Sequence, residues 1–209
     1  MPPKAKFSRE EIVQAGLSLV RAQGMQGLTA RALGAALHSS ARPVFTVFRS
    51  MEEVAQAVIE SANVVYQRYI KAEMAKGVYP PYKASGMGYI HFAKEERELF
   101  RLLFMRDRTH EPIEENREEI RPLLEILQQQ MGVSEDLAYL FHLEMWIYVH
   151  GIAVMFATGY LNLDESFLSS VLTDAFEGLK ARWNQKKSKE EAQGGIAMDT
   201  LSRLRRENA

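Results

Sequence analysis

The chain has 209 residues, 46% of them hydrophobic and 25% charged, a composition typical of a globular protein large enough to bury its own core. It contains no cysteine, which excludes disulfides and thiolate metal sites. The net charge is −1, but residues 1–50 carry seven lysines and arginines against two glutamates, so this part of the chain is basic and the remainder acidic.

Helical spacing begins close to the N-terminus. Ser8 opens a capping-box pattern that predicts a helix to about Gln23, and Gly24 is a natural stop for it. Thr29 is a suitable N-cap for a second helix, whose apolar stripe begins at Leu33.

Residues 38–40 interrupt that pattern, and signals of another short helix follow. Ser40 is a candidate N-cap, and Pro43 falls in the first turn, where its missing amide proton costs little. The buried side of this helix would be supplied by Val44, Val47 and Phe48. Ser50 then opens another capping box. Two helices joined by a tight turn are common in helical proteins, but a short second helix with arginine at both ends favours insertion into the DNA major groove.

The rest of the chain has the spacing of further helices, with no alternating strand pattern. The predicted segments are Met51 to about Lys76, 82–106 as one helix or a kinked pair, Ile113–Met131, 134–158, and Asp164 or Ser166 to Trp183. We expect an all-α fold with a three-helix helix-turn-helix DNA-binding domain at 1–53. A helical ligand-binding and dimerisation domain at 54–186 and a polar, flexible or loosely helical tail at 187–209 would follow.

The two last helices are apolar around most of their circumference. A helix of that kind is buried, so residues 134–183 are expected to pack against a second copy as a four-helix homodimer interface. The alternative is that the rest of the same chain covers them.

The motifs of catalysis are missing. The sequence has no Gly-x-Ser-x-Gly elbow, and Gly86-Met-Gly88 lacks the third glycine of a dinucleotide loop. Four histidines at 91, 110, 142 and 150 lack the Glu-x-x-His pairs of bundle metal sites. We therefore expect no enzyme, no metal and no cofactor. No signal peptide and no uninterrupted apolar run of membrane-spanning length occur, which favours a cytoplasmic protein without a membrane partner.

Residues 87–160 are rich in methionine and aromatic side chains, which suit an irregular apolar cavity for a small ligand. Most of these side chains must also form the core. The candidate ligand-binding residues are Met87, His91, Phe104, Phe141, Met145, Trp146, Tyr148 and His150.

Two stretches resemble a known family. The first fifty-five or so residues are similar to the N-terminal domain of tetracycline-repressor-type (TetR/AcrR) transcriptional regulators. The matching positions are Ile12, Ala15, Leu19, Gly24, Leu28, Thr29, Leu33, Ala36, Leu37, Ser40, Val44, Phe45, Phe48, Ser50, Glu52 and Val54. The run from Trp146 to Gly151, with Glu98 to Met105 before it, resembles the ligand-binding half of a branch with a tryptophan–histidine–glycine signature.

The resemblance implies a homodimeric repressor that binds a double-stranded DNA operator and is released by a small apolar or amphipathic effector. Arg42 and Thr46 are expected to reach base edges, and Thr29 and Arg31 to contact phosphate. The full set of expected DNA-binding residues is Lys4, Lys6, Arg9, Thr29, Arg31, Ser40, Arg42, Pro43, Phe45, Thr46 and Arg49.

Three positions depart from the family pattern. The family usually has tyrosine at Phe45, often histidine or tyrosine at Val47, and usually lysine at Met51. Each missing phosphate contact should weaken DNA binding and lower its salt dependence. The alternative function is therefore a non-catalytic helical ligand-binding or interaction protein with weakened DNA affinity.

Overall fold

A computed structural model describes residues 6–107 and 115–193, and it describes the side chains outside 115–117, 119 and 185–193. The described residues form α-helices and two 3₁₀ helices, with no β-strand among them. The α-helices are α1 (Arg9–Gln23), α2 (Ala30–Ala36), α3 (Met51–Ala75), α4 (Pro81–Glu95), α5 (Arg97–Phe104), α6 (Glu115–Met131), α7 (Glu135–Ala157) and α8 (Glu165–Gln193). The all-α fold expected from the sequence is confirmed.

The capping residues of α1 and α2 behave as the sequence predicts. The Ser8 hydroxyl accepts from the Glu11 amide at 3.1 Å, and the Glu11 carboxylate accepts from the Ser8 amide at 2.7 Å. Gly24 ends α1 with a φ of 72°. Thr29 caps α2 by accepting from the Ala32 amide at 3.2 Å.

The prediction of an α-helix after α2 is wrong. Only Val44–Thr46 is helical, as a 3₁₀ helix with no side-chain cap, so Ser40 caps nothing. A proline disfavours the α conformation at the residue before it, so no helix can begin before Pro43. The three 3₁₀ residues lie inside the segment 41–48, which ends before α3 begins at Met51. We call residues 41–48 the 41–48 turn.

The start of α3 follows its predicted capping box only in part. The Ser50 hydroxyl accepts from the Glu53 amide at 3.3 Å, as expected. The Glu53 carboxylate, however, accepts from the Arg49 amide at 2.8 Å instead of from Ser50. The helix then continues without interruption to Ala75, close to the predicted end at Lys76.

The later helices also lie near their predicted positions. Residues 82–106 form the kinked pair α4 and α5, with the break at Glu96. Asp164 caps α8 by accepting from the Phe167 amide at 2.9 Å, and α8 continues to Gln193, well past the predicted end at Trp183. Among the described residues, α7 is long and apolar enough to cross a membrane by length and composition alone, a property shared by core helices of soluble proteins.

The chain divides into two compact units. Unit 1 comprises Met1–Ala72, Gly88–Asp107 and Ala153–Leu161. Within it, α1 packs against α2 and α5. We call its residues 6–53 the head. The side chains of Ile12, Val20, Leu33, Val44 and Phe48 are almost wholly excluded from solvent and form the core of the head.

Unit 2 comprises Glu73–Met87, Arg108–Ile152 and Asn162–Ala209. Its buried core cluster consists of Tyr82, Leu124, Leu127, Ala138, Phe141 and Met145. Side chains of α8, among them Phe176, Leu179 and Trp183, pack against this cluster. The functional boundaries at residues 53 and 186 remain a prediction, because the units group residues by contact and not by role.

Candidate nucleic-acid interface and effector region

The head presents most of the predicted DNA-binding side chains to solvent. Arg42, Phe45, Thr46 and Arg49 project from the 41–48 turn and the residue after it, and all four are exposed. The other exposed members of the predicted set are Lys6, Arg9, Thr29, Arg31 and Ser40, whereas Pro43 is half-buried. Lys4 lies outside the described residues. Because Val44 and Phe48 are buried, the turn is anchored by its apolar side and its polar side remains available.

Two threonine hydroxyls in this surface already have hydrogen-bond partners. Thr46 Oγ1 donates to the Pro43 carbonyl oxygen at 2.7 Å. Its lone pairs therefore remain available to accept a hydrogen bond, while its methyl group can meet an apolar base edge. Thr29 Oγ1 accepts from the Ala32 amide, so its proton remains available for a phosphate oxygen.

The cations of the head differ in their surroundings. Arg9 pairs with Glu53 at 3.0 Å, and Arg21 makes a two-pronged pair with Glu96, with nitrogen–oxygen distances of 2.8 and 2.9 Å. Arg31 and Arg42 make no ion pair with any described residue. The unpaired cations are therefore the ones best placed to meet phosphates or base edges.

The predicted ligand-binding residues are divided between the two units. Phe104 belongs to unit 1, where its ring lies 5.3 Å from that of Tyr66 and 5.0 Å from that of Tyr89. His91 also belongs to unit 1 and is half-buried. The remaining six candidates lie in unit 2: Met87, Phe141, Met145, Trp146, Tyr148 and His150.

The six candidates in unit 2 do not share one environment. Phe141 and Met145 are packed in the core cluster, and Met87 is also fully buried. Trp146 and His150 stack one helical turn apart, with ring centroids 4.8 Å apart and an interplanar angle of 22°. Tyr148 is 43% exposed on another side of α7. Trp146 and His150 are thus partly accessible next to a packed core, while three of the others are core residues.

The comparisons with known proteins agree with this fold. Residues 82–175 match the family described as tetracyclin repressor-like, C-terminal domain. The C-terminal part of the chain is therefore similar to the C-terminal domain of tetracycline-repressor-type (TetR) regulators. The matched segment contains the Trp146–Gly151 signature that carried the resemblance in the sequence. No curated protein matches the chain.

Solved structures share the TetR-type architecture at low sequence identity. A protein assigned to the TetR family of transcriptional regulators from Vibrio parahaemolyticus is 16% identical, with a TM-score of 0.58 over 81% of this chain and 97% of that one. A protein of unknown function from Rhodococcus sp. RHA1 is 21% identical, with a TM-score of 0.65 over 87% and 98%. A TetR-family member from Streptomyces coelicolor A3 is 17% identical, with a TM-score of 0.53 over 83% and 98%.

The three departures from the TetR pattern occupy different environments. Phe45 is 45% exposed and presents a bare ring where a tyrosine would present a hydroxyl. Val47 and Met51 are half-buried, so neither places an apolar group fully in water. An exposed phenylalanine can pack on a thymine methyl group or a sugar, but it cannot donate to phosphate.

One polar pair in unit 2 is not predicted by the sequence. The hydroxyl of Tyr82, a member of the core cluster of unit 2, lies 3.0 Å from Nδ1 of the half-buried His142. Burial lowers the pKa of His142 to about 4 and raises the pKa of Tyr82, so both groups are neutral near pH 7. The residues are 60 positions apart, and nothing in the local pattern of either one signals the other.

The histidine of the Trp146–Gly151 signature, His150, is also half-buried. Burial lowers the pKa of His150, which favours its neutral form beside Trp146. The neutral ring keeps one nitrogen as a donor and one as an acceptor. A neutral, stacked imidazole is suited to orient an uncharged ligand.

Proposed function

We propose that the chain is a homodimeric, ligand-responsive DNA-binding transcriptional regulator, acting in the cytoplasm as a repressor that a small apolar or amphipathic effector releases from its operator. The observation that supports this most directly is the exposed, unpaired Arg42 at the start of a turn whose apolar side is anchored in the head. Such an element can place an arginine against a guanine edge. The proposed activity requires no catalytic residue, metal or cofactor.

The surface residues divide by the chemistry that they offer to DNA. Arg42 and Thr46 would read base edges, since they project from the 41–48 turn. Arg31 and Arg49 would hold phosphates and so fix the register of the head. The remaining proposed backbone contacts are made by Lys4, Lys6, Thr29, Ser40, Pro43 and Phe45.

Arginine-to-alanine variants test this division. Operator sequences are first selected from a random double-stranded library with the wild-type protein. Arg42→Ala should then cost about 1–3 kcal/mol and relax the preference at one base position of each half-site, whereas Arg31→Ala should weaken all sequences alike and lower the salt slope by about two, one for each head of the proposed dimer. Arg68→Ala is the matched control, because Arg68 is exposed on α3 outside the head. A loss below about 1 kcal/mol with unchanged preference for Arg42→Ala contradicts base readout.

The dimer proposal is supported by the exposed side of α7. Ile147 is 61% exposed, Tyr148 43% and Met155 38%, although α7 is a strongly apolar helix. A Cβ added at Gly151 would meet nothing within 4 Å, so the described residues leave room there for another helix. Burying these side chains against a second copy would recover about 25 cal/mol per Å² of apolar surface.

Sedimentation of charged variants tests the dimer. Ile147→Glu would place a charge in the proposed interface, so it should shift the protein to monomers and abolish high-affinity operator binding. Val64→Glu is the matched control, since Val64 is 52% exposed on α3 and lies outside the interface. Dimers of undiminished stability in Ile147→Glu would exclude this face of α7.

The effector proposal rests on the accessible stack of Trp146 and His150 and on the methionine-rich surroundings of α7. A ligand shifts the protein between two states only if it binds them unequally, so the effector must prefer the form that does not hold DNA. Trp146→Phe and His150→Gln should each weaken the effector without changing operator affinity in its absence. Unchanged effector affinity in both variants would contradict the assignment.

A second candidate function is a non-catalytic helical ligand-binding or interaction protein with weakened DNA affinity. The observation that favours it is the loss of phosphate-binding groups at Phe45, Val47 and Met51. Titration of genomic fragments at low salt separates the two candidates. Saturation with no preferred fragment would favour this second function.

A further inference from the structure

The 41–48 turn has little internal support. Three of its backbone bonds are of the i to i+3 type, from Val44 to Ala41, Thr46 to Pro43 and Val47 to Val44, and one bond from Phe48 to Val44 is α-helical. A single turn held mainly by 3₁₀-type hydrogen bonds does not keep one conformation by itself. Its position must be set by contacts outside the turn.

One carboxylate makes two of those contacts at the end of the turn. Glu53 Oε2 accepts from the Arg49 amide at 2.8 Å, and Glu53 Oε1 accepts from Arg9 Nη1 at 3.0 Å. The first bond fixes the backbone immediately after the turn to α3. The second ties that point to the first residue of α1, which is 44 positions away in the sequence.

The guanidinium of Arg9 makes a further contact. It lies 4.4 Å from the centre of the Phe48 ring, and this ring is the buried anchor at the end of the turn. Arg9 thus touches the last residue of the turn while its charge is directed to Glu53. Arg9 belongs to the expected DNA-binding set, and this geometry gives it a different task.

We propose that Arg9 and Glu53 are positioning residues, which fix the 41–48 turn on the head so that Arg42 and Thr46 meet the bases in one pose. The proposal rests on the DNA-binding function proposed above. It predicts a change in DNA affinity opposite in sign to the change that simple electrostatics predicts. Removing a negative charge next to DNA should strengthen binding, whereas removing the Glu53 carboxylate should weaken it.

The test compares Glu53→Gln with Glu52→Gln in full-length protein. Glu52 is the matched control because it is an exposed acid in the same first turn of α3, with the same effect on the helix dipole. Its pKa is lowered by a hydrogen bond from Ser50, and it makes no hydrogen bond or ion pair with α1 among the described residues. We expect Glu53→Gln to weaken the selected operator about tenfold and Glu52→Gln to leave it unchanged or slightly tighter.

Arg9→Gln and the double variant separate positioning from phosphate contact. If the two side chains act as one unit, both single variants and the double variant lose about the same affinity. If Arg9 contacts phosphate, its loss adds to that of Glu53→Gln and lowers the salt slope by about two, one for each head. Additive losses, or wild-type affinity in Glu53→Gln, would overturn the proposal.

A measurement without DNA keeps this proposal distinguishable from the proposed function. The Arg49 amide should exchange with solvent faster in Glu53→Gln and Arg9→Gln than in the wild type, and at the wild-type rate in Glu52→Gln. If the wild-type protein prefers no DNA sequence, the proposed function fails, and this exchange still decides whether the pair holds the turn. An unchanged exchange rate of the Arg49 amide in Glu53→Gln and Arg9→Gln would overturn the positioning proposal.

Discussion

The pair formed by the buried Tyr82 and the half-buried His142 makes the stability of the protein depend on pH in a predictable direction. Burial lowers the pKa of His142 from 6.5 to about 4, so the folded state resists a proton that the unfolded state accepts. Above pH 6.5 both states are neutral and the group has no effect. As the pH falls from 6.5 towards 4, only the unfolded state becomes protonated, and the free energy of unfolding decreases.

The size of the effect follows from the shift. Each pH unit in which one state alone binds the proton corresponds to about 1.4 kcal/mol, so moving from pH 7 to pH 5 should cost about 2 kcal/mol through this residue. In the tautomer whose Nδ1 accepts from the Tyr82 hydroxyl, protonation would also convert Nδ1 into a donor, which requires that hydroxyl to reverse its role.

Urea unfolding followed by circular dichroism at pH 7 and pH 5 measures this loss, at one fixed protein concentration because a dimer adds a mass-action term. His142→Gln removes the titrating group but keeps an acceptor for Tyr82. The variant should lose about 2 kcal/mol less than the wild type between the two pH values. Carboxylates and His150 contribute equally in both proteins and cancel. Equal losses in the two proteins would refute the buried, neutral histidine.

Two other predictions concern the stability of the head. Arg21→Ala removes the two-pronged pair with the mostly buried Glu96 and should lower the free energy of unfolding by about 1 kcal/mol. Arg121→Ala breaks a pair that is exposed on both sides and should cost less than about 0.5 kcal/mol. Equal losses of the two variants in thermal unfolding would contradict the role of burial. Gly34→Ala should destabilise by about 2 kcal/mol or more, because its Cβ would lie 2.7 Å from the Ser40 carbonyl carbon, and an unfolding midpoint equal to wild type would show that the turn moves away freely.

Much of the fold could be predicted because helix ends carry local chemistry. Ser8, Thr29 and Gly24 act on backbone groups within four residues, so their effect is visible in a short window of sequence. The 41–48 turn was predicted as a helix because Ser40 and Pro43 are common at helix starts. The proline disfavours the α conformation at the residue before it, and only Val44–Thr46 forms a 3₁₀ turn.

The candidate site was only partly predictable for a different reason. Exposed cations such as Arg42 and Arg49 follow from composition and helical position. The partners of Arg9 and Arg21 lie 44 and 75 positions away, and a linear pattern does not bring such residues together. Residue types alone therefore include Arg9 among the DNA-binding residues, although Glu53 holds its guanidinium.

The two internal ion pairs of the head reduce the number of cations that can contribute to the proposed DNA binding. Arg9 and Arg21 are neutralised by Glu53 and Glu96, which leaves five of the seven basic residues in residues 1–50 for phosphates or bases. With two heads, and about 0.9 units of slope for each phosphate contact, the logarithm of operator affinity should fall with the logarithm of salt at a slope no steeper than about 9. If all seven residues in each head met phosphates, the slope would approach about 13. A measured slope near the larger value would mean that both internal pairs open on DNA, and the positioning role of Arg9 would then be untenable.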